Sequence, residues 1–505
     1  EYDPANTSRI FKWALSSVED LYGNTMTIQY SRYDSKLYPY YIIYTANPSN
    51  GLAGFAAVEL IWSPRPEPMN SHAAGFWVET YYRLSRVNTW VGTNLQYRFD
   101  LAYHVSNATG RSLLESITQY GSDGTAALPP LKFQYQEYVN EPRPAYDLVN
   151  TSLTNPSAVN NQLFGDFNGD GRTDRLVFDP STDKVAAAYS NGTSFQSASL
   201  WVGSFPPEVR FLSGNFDNDG AADFCVFYPS TGRWDVFVSS LSNQSHWFSG
   251  TGTWISGFGA GKEPTTGDFN GDGLTDIAYF YEDASGYKRA AIALNVTGGY
   301  FQQIPGATPI ISNINAQGIT GDFNGDGLTD LGLWEKTSGL WQIRLNPGDI
   351  TATFPVMAEV SGFGPGKQPM IADFNSDGLT DIGYYDNSSQ KAVYRVSTGR
   401  AFTNEQSLFL GLSTEDAQTV EFNGDGLPDF ISANAPGPMA VNYSSGVFPD
   451  LLARSDNGVG GTTTIVYAPS TTFDNPRLPF VLQLVKSAGQ SNSRGDVYTS
   501  RYDYA

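Results

Sequence analysis

Cysteine is nearly absent from this sequence: Cys225 stands alone in 505 residues. A single thiol excludes an internal disulfide framework and a cysteine-based zinc site. Histidine is almost as scarce, with only His72, His104 and His246 to act as general base or imidazole ligand. Basic residues number 30 against 51 acidic ones, and the net charge of −21 argues against nucleic-acid binding, which needs a basic footprint on phosphate. No apolar run approaches the roughly 20 residues of a membrane-spanning helix. No basic segment followed by an apolar one is found after Glu1, so no signal peptide is read there. The 40% hydrophobic and 14% aromatic content is enough to bury a core and sets disorder aside. With 51 glycines and 29 prolines cutting it into short runs, the chain reads as all-β.

The strongest internal signal is a repeat. Six nine-residue segments share the pattern D-x-N-x-D-G-x-x-D, their starts separated by 49, 53, 54, 51 and 48 residues. Position one is Asp166, Asn215, Asp268, Asp322, Asp373 and Glu421; position three is Asn168, Asp217, Asn270, Asn324, Asn375 and Asn423. Position five is Asp170, Asp219, Asp272, Asp326, Asp377 and Asp425; position nine is Asp174, Asp223, Asp276, Asp330, Asp381 and Asp429. Alternate oxygen side chains in a tight loop aim at one point, and the glycine at six permits the sharp turn. Position seven would add its backbone carbonyl, from Arg172, Ala221, Leu274, Leu328, Leu379 and Leu427. Carboxylates without His or Cys form a hard-cation site, and flexible oxygen geometry favours Ca²⁺ over Mg²⁺. Up to six structural Ca²⁺ ions would bring the charge of −21 to about −9 and relieve eighteen crowded carboxylates. Asn215 and Glu421 depart from the pattern, and whether their loops bind metal is left open. The terminal acid falls at nine rather than twelve and the flanks read as strands, so these are not EF-hands.

Between loops the chain reads as short strands, such as Ile277–Tyr281, Arg289–Leu294 and Tyr300–Ile304. About four strands per repeat is the unit of a β-propeller, here six-bladed, or seven-bladed if flanking strands assemble another. The loops resemble the FG-GAP/VCBS calcium repeats of integrin-α-like propellers. Ser256–Pro264 and Ser361–Pro369, reading SGFGAGKEP and SGFGPGKQP, add to the resemblance. A phosphate loop is rejected there, because Glu263 and Gln368 follow the lysine where Ser or Thr is needed.

Upstream, Leu95–Val105 alternates, with Leu95, Tyr97, Phe99, Leu101 and Tyr103 on one face, as in a half-buried antiparallel strand. Six to eight such strands are expected before the propeller. Trp13–Tyr30, Tyr40–Tyr44, Tyr82–Val87, Leu113–Gly124 and Leu128–Tyr135 resemble the N-terminal region of toxin-complex B components and virulence-plasmid B proteins, within the wider Rhs/YD-repeat group. Leu451–Thr471 and Leu478–Val485 resemble the strands that resume that family's sheet after its propeller. The expected organisation is therefore an antiparallel sheet domain over 1–145, a linker over 146–160, a propeller over 161–453 and return strands over 454–505. Against the family pattern, the sequence given ends at Tyr502–Ala505, where Tyr-Asp repeats would begin, and carries no toxic effector region.

The resemblance implies a non-enzymatic structural and docking component of a secreted assembly. Its calcium-stapled propeller would meet a protein partner such as a pore-forming subunit. The alternative is a secreted calcium-dependent lectin or adhesin, with Trp201, Trp234, Trp254, Trp334 and Trp341 as candidate platforms for glycans, against the plainer reading of tryptophans packed between blades. An enzyme using paired carboxylates is a distant third, since the acids that can be placed are assigned to metal. Arg494-Gly495-Asp496 reads as a turn rather than an integrin ligand, and Cys225 as a buried small hydrophobe. Eight sequons, at Asn6, Asn107, Asn150, Asn191, Asn243, Asn295, Asn387 and Asn442, stand against about six expected by chance and are weak evidence for glycosylation.

Overall fold

The computed structural model describes residues 1–136, 148–155, 162–179, 183–196, 200–239, 248–296, 299–306, 310–312, 316–411, 417–432, 437–444, 446–473, 478, 480–492 and 494–504. The chain is all-β and divides into two units. One comprises Glu1–Val139, Pro449–Tyr467 and Val485–Tyr502; the other comprises Asn140–Phe448, Ala468–Leu484 and Asp503–Ala505.

Among the described residues the first unit holds a two-stranded pair, Tyr2–Asp3 with Asn6–Ile10, and a twelve-stranded sheet. Eight of the sheet's strands precede the propeller: Ser17–Glu19, Thr25–Tyr33, Lys36–Ala46, Ala56–Ser71, Val78–Val91, Asn94–Val105, Ser112–Tyr120 and Leu131–Tyr135. Four follow it: Leu452–Asp456, Thr462–Pro469, Gln483–Ser491 and Val497–Arg501. Strands consecutive in sequence are neighbours in the sheet, as short turns such as that at Gly23 (φ +76) dictate. Leu131–Tyr135 pairs directly with Leu452–Asp456, Lys132 opposite Asp456 and Gln134 opposite Arg454. The propeller is therefore inserted between two strands that are hydrogen-bonded to each other. Alternation in Asn94–Val105 does not give one dry face and one wet one, for Tyr97 is 50% exposed. Its polar side chains are knitted instead: Arg86 donates to both oxygens of Asp100 at 2.6 and 3.2 Å, and Arg98 lies 4.0 Å over Tyr120.

The second unit holds six sheets of four strands, the third with an added short strand, Ile310–Ser312. Blade 1 runs Gln162–Gly165, Asp174–Asp179, Lys184–Ala188, Leu200–Val202, and the next four repeat that meander. Blade 6 takes Ala417–Val420, Asp429–Ser432 and Gly437–Asn442, then borrows its outer strand, Leu148–Asn155, from before blade 1. That strand lies within the stretch expected as linker. It also removes the seventh blade: the flanking strand completes the sixth, tying the ends of the ring together by main-chain hydrogen bonds. Inner strands are covered on both faces, so their sequences run apolar rather than alternating: Asp223–Tyr228 is buried through Phe227. Position two of every acidic loop is a phenylalanine (Phe167, Phe216, Phe269, Phe323, Phe374, Phe422), each at most 4% exposed. Burying one such ring is worth roughly 1.5–3 kcal/mol.

The two SGFGxGK stretches have a packing reason. Trp234 and Trp341 are fully buried, and their indole N–H groups donate to the carbonyls of Phe258 and Phe363 at 3.0 and 2.9 Å. Each stretch crosses the hairpin of the preceding blade so closely that a Cβ on Gly339 (φ +65) would lie 2.8 Å from the Phe363 oxygen. Gly339→Ala is expected to cost on the order of 1–3 kcal/mol, read as a lower urea midpoint, from left-handed strain and collision together. An unchanged midpoint would refute the close crossing.

Candidate metal centres

Each acidic loop joins the first strand of a blade to the second. Its backbone reverses through two left-handed residues, for example Gly325 (φ +71) and Gly327 (φ +90). Asn218 (φ +64) and Ser376 (φ +59) take the first of these places in loops 2 and 5. Asparagine tolerates that conformation; serine adopts it at a cost.

Within the turn the side-chain oxygens hold the backbone. In loop 4, Asp322 accepts from Gly325, Asp326 and Gly327 N–H at 2.7, 3.2 and 2.9 Å. Asn324 accepts from Asp326 N–H at 3.1 Å while its own amide donates to the Asp326 carboxylate at 2.9 Å. Asp326 accepts from Leu328 N–H at 2.9 Å. Loop 3 repeats this set, and loop 1 repeats its bonds from the N–H groups of positions five, six and seven. Loop 5 shares most of it, with Asp373 accepting from Asp377 and Gly378. In loop 2, Asn215 accepts from Asn218, and in loop 6 the longer Glu421 accepts from Asp425 N–H at 2.9 Å.

The ninth residue behaves differently. Asp174, Asp223, Asp276, Asp330, Asp381 and Asp429 are fully buried. One oxygen accepts from the backbone N–H of the position-two phenylalanine, at 2.7–3.1 Å. The other accepts from the backbone N–H at the end of the blade's third strand, from Ser190, Ser239, Asn295, Asn346, Ser397 or Ser444, at 2.6–2.8 Å. The loop is thereby pinned to its own blade. Sequence spacing does not reveal this second anchor, because its partner sits fifteen to nineteen residues downstream.

Among the described residues, no three His, Cys, Asp or Glu side chains are arranged about a common point. The expected convergence is thus not displayed; the oxygens are turned to backbone N–H groups. The acids nevertheless feel one another. Burial, opposed by Gly171 N–H and reinforced by Asp170, lifts Asp166 to about 6. Burial, with Asp268 and Asp272 adding, lifts Asp276 to about 8, and burial with Asp429 and Asp425 lifts Glu421 to about 9. Asp174, Asp330 and Asp381 are pushed well above the carboxylate range, burial first, the two acids of the same loop adding. A carboxyl raised in this way contributes its full stability below the unfolded value and loses it as pH rises through the folded one. At neutral pH the loops therefore carry an electrostatic cost. An all-oxygen donor set with that cost suits a hard divalent cation.

The loops are also the inter-blade joints. The N–H at position eight donates to the position-one carbonyl of the preceding blade: Ala222 to Asp166, Thr275 to Asn215, Thr329 to Asp268, Thr380 to Asp322 and Thr173 to Glu421, at 2.6–2.8 Å. The sixth joint has Pro428, which has no N–H to give.

Other candidate residues are absorbed by packing. Trp254 and Trp334 are buried like Trp234 and Trp341, which leaves no stacking platform at these four; the side chain of Trp201 lies outside the described residues. Cys225 is fully buried, and burial pushes its thiol up. Two sequon asparagines, Asn295 and Asn442, are buried, their amides donating to Phe216 and Leu410 carbonyls, so neither is open to glycosylation in the fold. Asn243 and His246 lie outside the described residues, as does the side chain of Asn150. Asp496 sits in a turn closed by Asn492. No described helix is long and apolar enough to cross a membrane.

Comparison with known proteins gives the fold a context. Residues 395–505 match the family model of the insecticide toxin TcdB middle/N-terminal region, and residues 268–333 and 322–384 match the FG-GAP-like repeat. No curated protein sequence matches the chain. Among solved structures, a mutant Tc holotoxin pore of Photorhabdus luminescens superposes with TM-score 0.73 at 16% identity, over 97% of this chain and 27% of that one. The TcdB2-TccC3-Cdc42 crystal structure gives 0.66 at 15% identity, over 100% and 28%, and TcdB2-TccC3 gives 0.65 at 15% over the same shares. The chain thus spans little more than a quarter of the solved chains it matches. Residues 395–505 are thus similar in sequence to the TcdB middle/N-terminal region, residues 268–384 to FG-GAP-like repeats, and nearly the whole chain, with its six-bladed propeller, shares the fold of these toxin-complex structures.

Proposed function

We propose that this chain is a non-enzymatic structural and docking part of a secreted toxin-complex-like assembly, with a propeller stapled by calcium and turned to a protein partner. The observation that carries this reading is the insertion itself. A rigid ring of six blades interrupts a broad sheet between two paired strands, the arrangement shared in fold with the Tc holotoxin pore. The sheet's outermost described strands, Ser17–Glu19 and Val497–Arg501, leave apolar side chains uncovered, among them Tyr498 at 71% exposure and Val497 at 64%. Such edges suit a sheet continued by further strands. In the propeller, donor chemistry and electrostatic cost favour Ca²⁺, and extracellular modules of this kind hold it with Kd of about 10⁻⁴–10⁻³ M. That would fill the loops outside cells.

The test is to titrate the chain, in calcium, against the pore-forming component of a toxin complex and follow the mixture by analytical ultracentrifugation. Stoichiometric co-sedimentation, with cryo-electron microscopy placing the propeller at the junction, is the expected result. No complex at micromolar concentrations, or docking through the sheet, overturns the reading.

A further inference from the structure

At two joints of the ring the leucine at position seven of one loop lies over the position-four glycine of the loop before it. Leu328 Cδ2 is 2.9 Å from where a Cβ on Gly271 would sit, and Leu379 Cδ1 is 3.2 Å from the same place on Gly325. At the junction between the last blade and the first, position seven of loop 1 is Arg172 rather than leucine. The cover over Gly424 comes instead from Thr471, whose side-chain atoms approach its Cβ position at 2.9–3.1 Å.

Thr471 belongs to Ala468–Leu484, a segment grouped with the propeller unit. Its grip on the two loops is specific. The Thr471 hydroxyl donates to the Gly424 carbonyl, and the Gln483 amide donates to the Asp425 carbonyl at 2.6 Å. From loop 1, Arg172 donates to the Thr471 carbonyl at 3.3 Å while its other terminal nitrogen faces the Asp170 carboxylate at 3.4 Å. The segment is braced on itself: Ser470 N–H donates to the Leu482 carbonyl at 2.7 Å, and Leu482 N–H to the Ser470 hydroxyl at 3.0 Å.

We infer that the described parts of this segment, residues 468–473 and 480–484, form a clasp over the joint between loops 6 and 1, and that cation binding in loops 1 and 6, unlike that in the other four, controls it. The inference rests on the calcium reading. Its physical basis is that the clasp holds the backbone at positions four and five of loop 6, and the arginine beside Asp170 of loop 1. Drawing Asp170 and Asp425 onto a cation resets those same atoms, and coupling of this kind is reciprocal.

Hydrogen–deuterium exchange with mass spectrometry on the whole chain, in calcium and in EGTA, tests this. Peptides containing Ser470 and Leu482 should exchange at least about fivefold more slowly in calcium, the lower end of ordinary coupling. Asp425→Asn should abolish that slowing while loops 3 and 4 keep theirs, and Asp272→Asn should leave it intact. Gln483→Ala, which touches no blade core, should speed exchange in the loop 6 peptide even in calcium. Protection of loops 3 and 4 with no change in the clasp overturns the inference while sparing the calcium reading. No calcium response in any loop overturns both.

Discussion

Removing calcium with EGTA is expected to lower the melting temperature of the protein by on the order of 10 °C. A ligand held only by the native state adds RT ln(1 + [L]/Kd) per site, about 2.7 kcal/mol at hundredfold excess. Two occupied loops would contribute about 5 kcal/mol, and in a unit of this size each kcal/mol moves the midpoint by roughly 1.5 °C. Asp272→Ala and Asp326→Ala should each reduce the difference between the calcium and EGTA melts, since position five is a ligand candidate whose hydrogen bond is local, to the N–H of Leu274 or Leu328. Identical melts in EGTA and about 10 mM calcium, roughly a hundredfold above the tighter end of the extracellular Kd range, would sink the staple.

The second large effect falls at position nine and does not depend on calcium. Asp330→Ala would orphan two buried N–H groups, those of Phe323 and Asn346, which now donate at 2.9 and 2.7 Å. At about 1–3 kcal/mol for each unsatisfied group, the loss is roughly 2–6 kcal/mol in EGTA as well as in calcium. Asp330→Asn keeps one acceptor and should lose about half as much. Chemical denaturation of the variants with and without chelator separates the two roles. If Asp330→Ala matches the parent in EGTA, the ninth aspartate is a metal ligand alone, and its two backbone bonds contribute nothing.

These expectations differ because the loop contains two kinds of bond. Positions one to seven bond within the turn, between residues two to five apart, and their spacing was legible in the sequence. So were the left-handed turn that Gly325 and Gly327 require and the all-oxygen chemistry. The ninth position was legible as an acid but not as an anchor, because its second partner arrives from the far end of a hairpin. The tryptophans show the same divide. For Trp234 and Trp341 the sequence favoured packing and kept stacking platforms as the alternative; burial against Phe258 and Phe363 decides for core.

The order of sheet, propeller and sheet was read from a family resemblance; the sequence by itself determined the six loops, their period and the all-β class. Each of these rests on interactions close along the chain, where turn chemistry and period-two patterning leave few alternatives. Only the tertiary structure decided how the ring closes. Leu148–Asn155 reads locally as a polar, proline-flanked connector, yet it pairs with Gly437–Asn442 across nearly three hundred residues. Thr471 reads as one more threonine in a return strand, yet it replaces a missing leucine over Gly424. Pairings of that kind follow from which edges and gaps remain open once the blades have formed, and no local pattern records them.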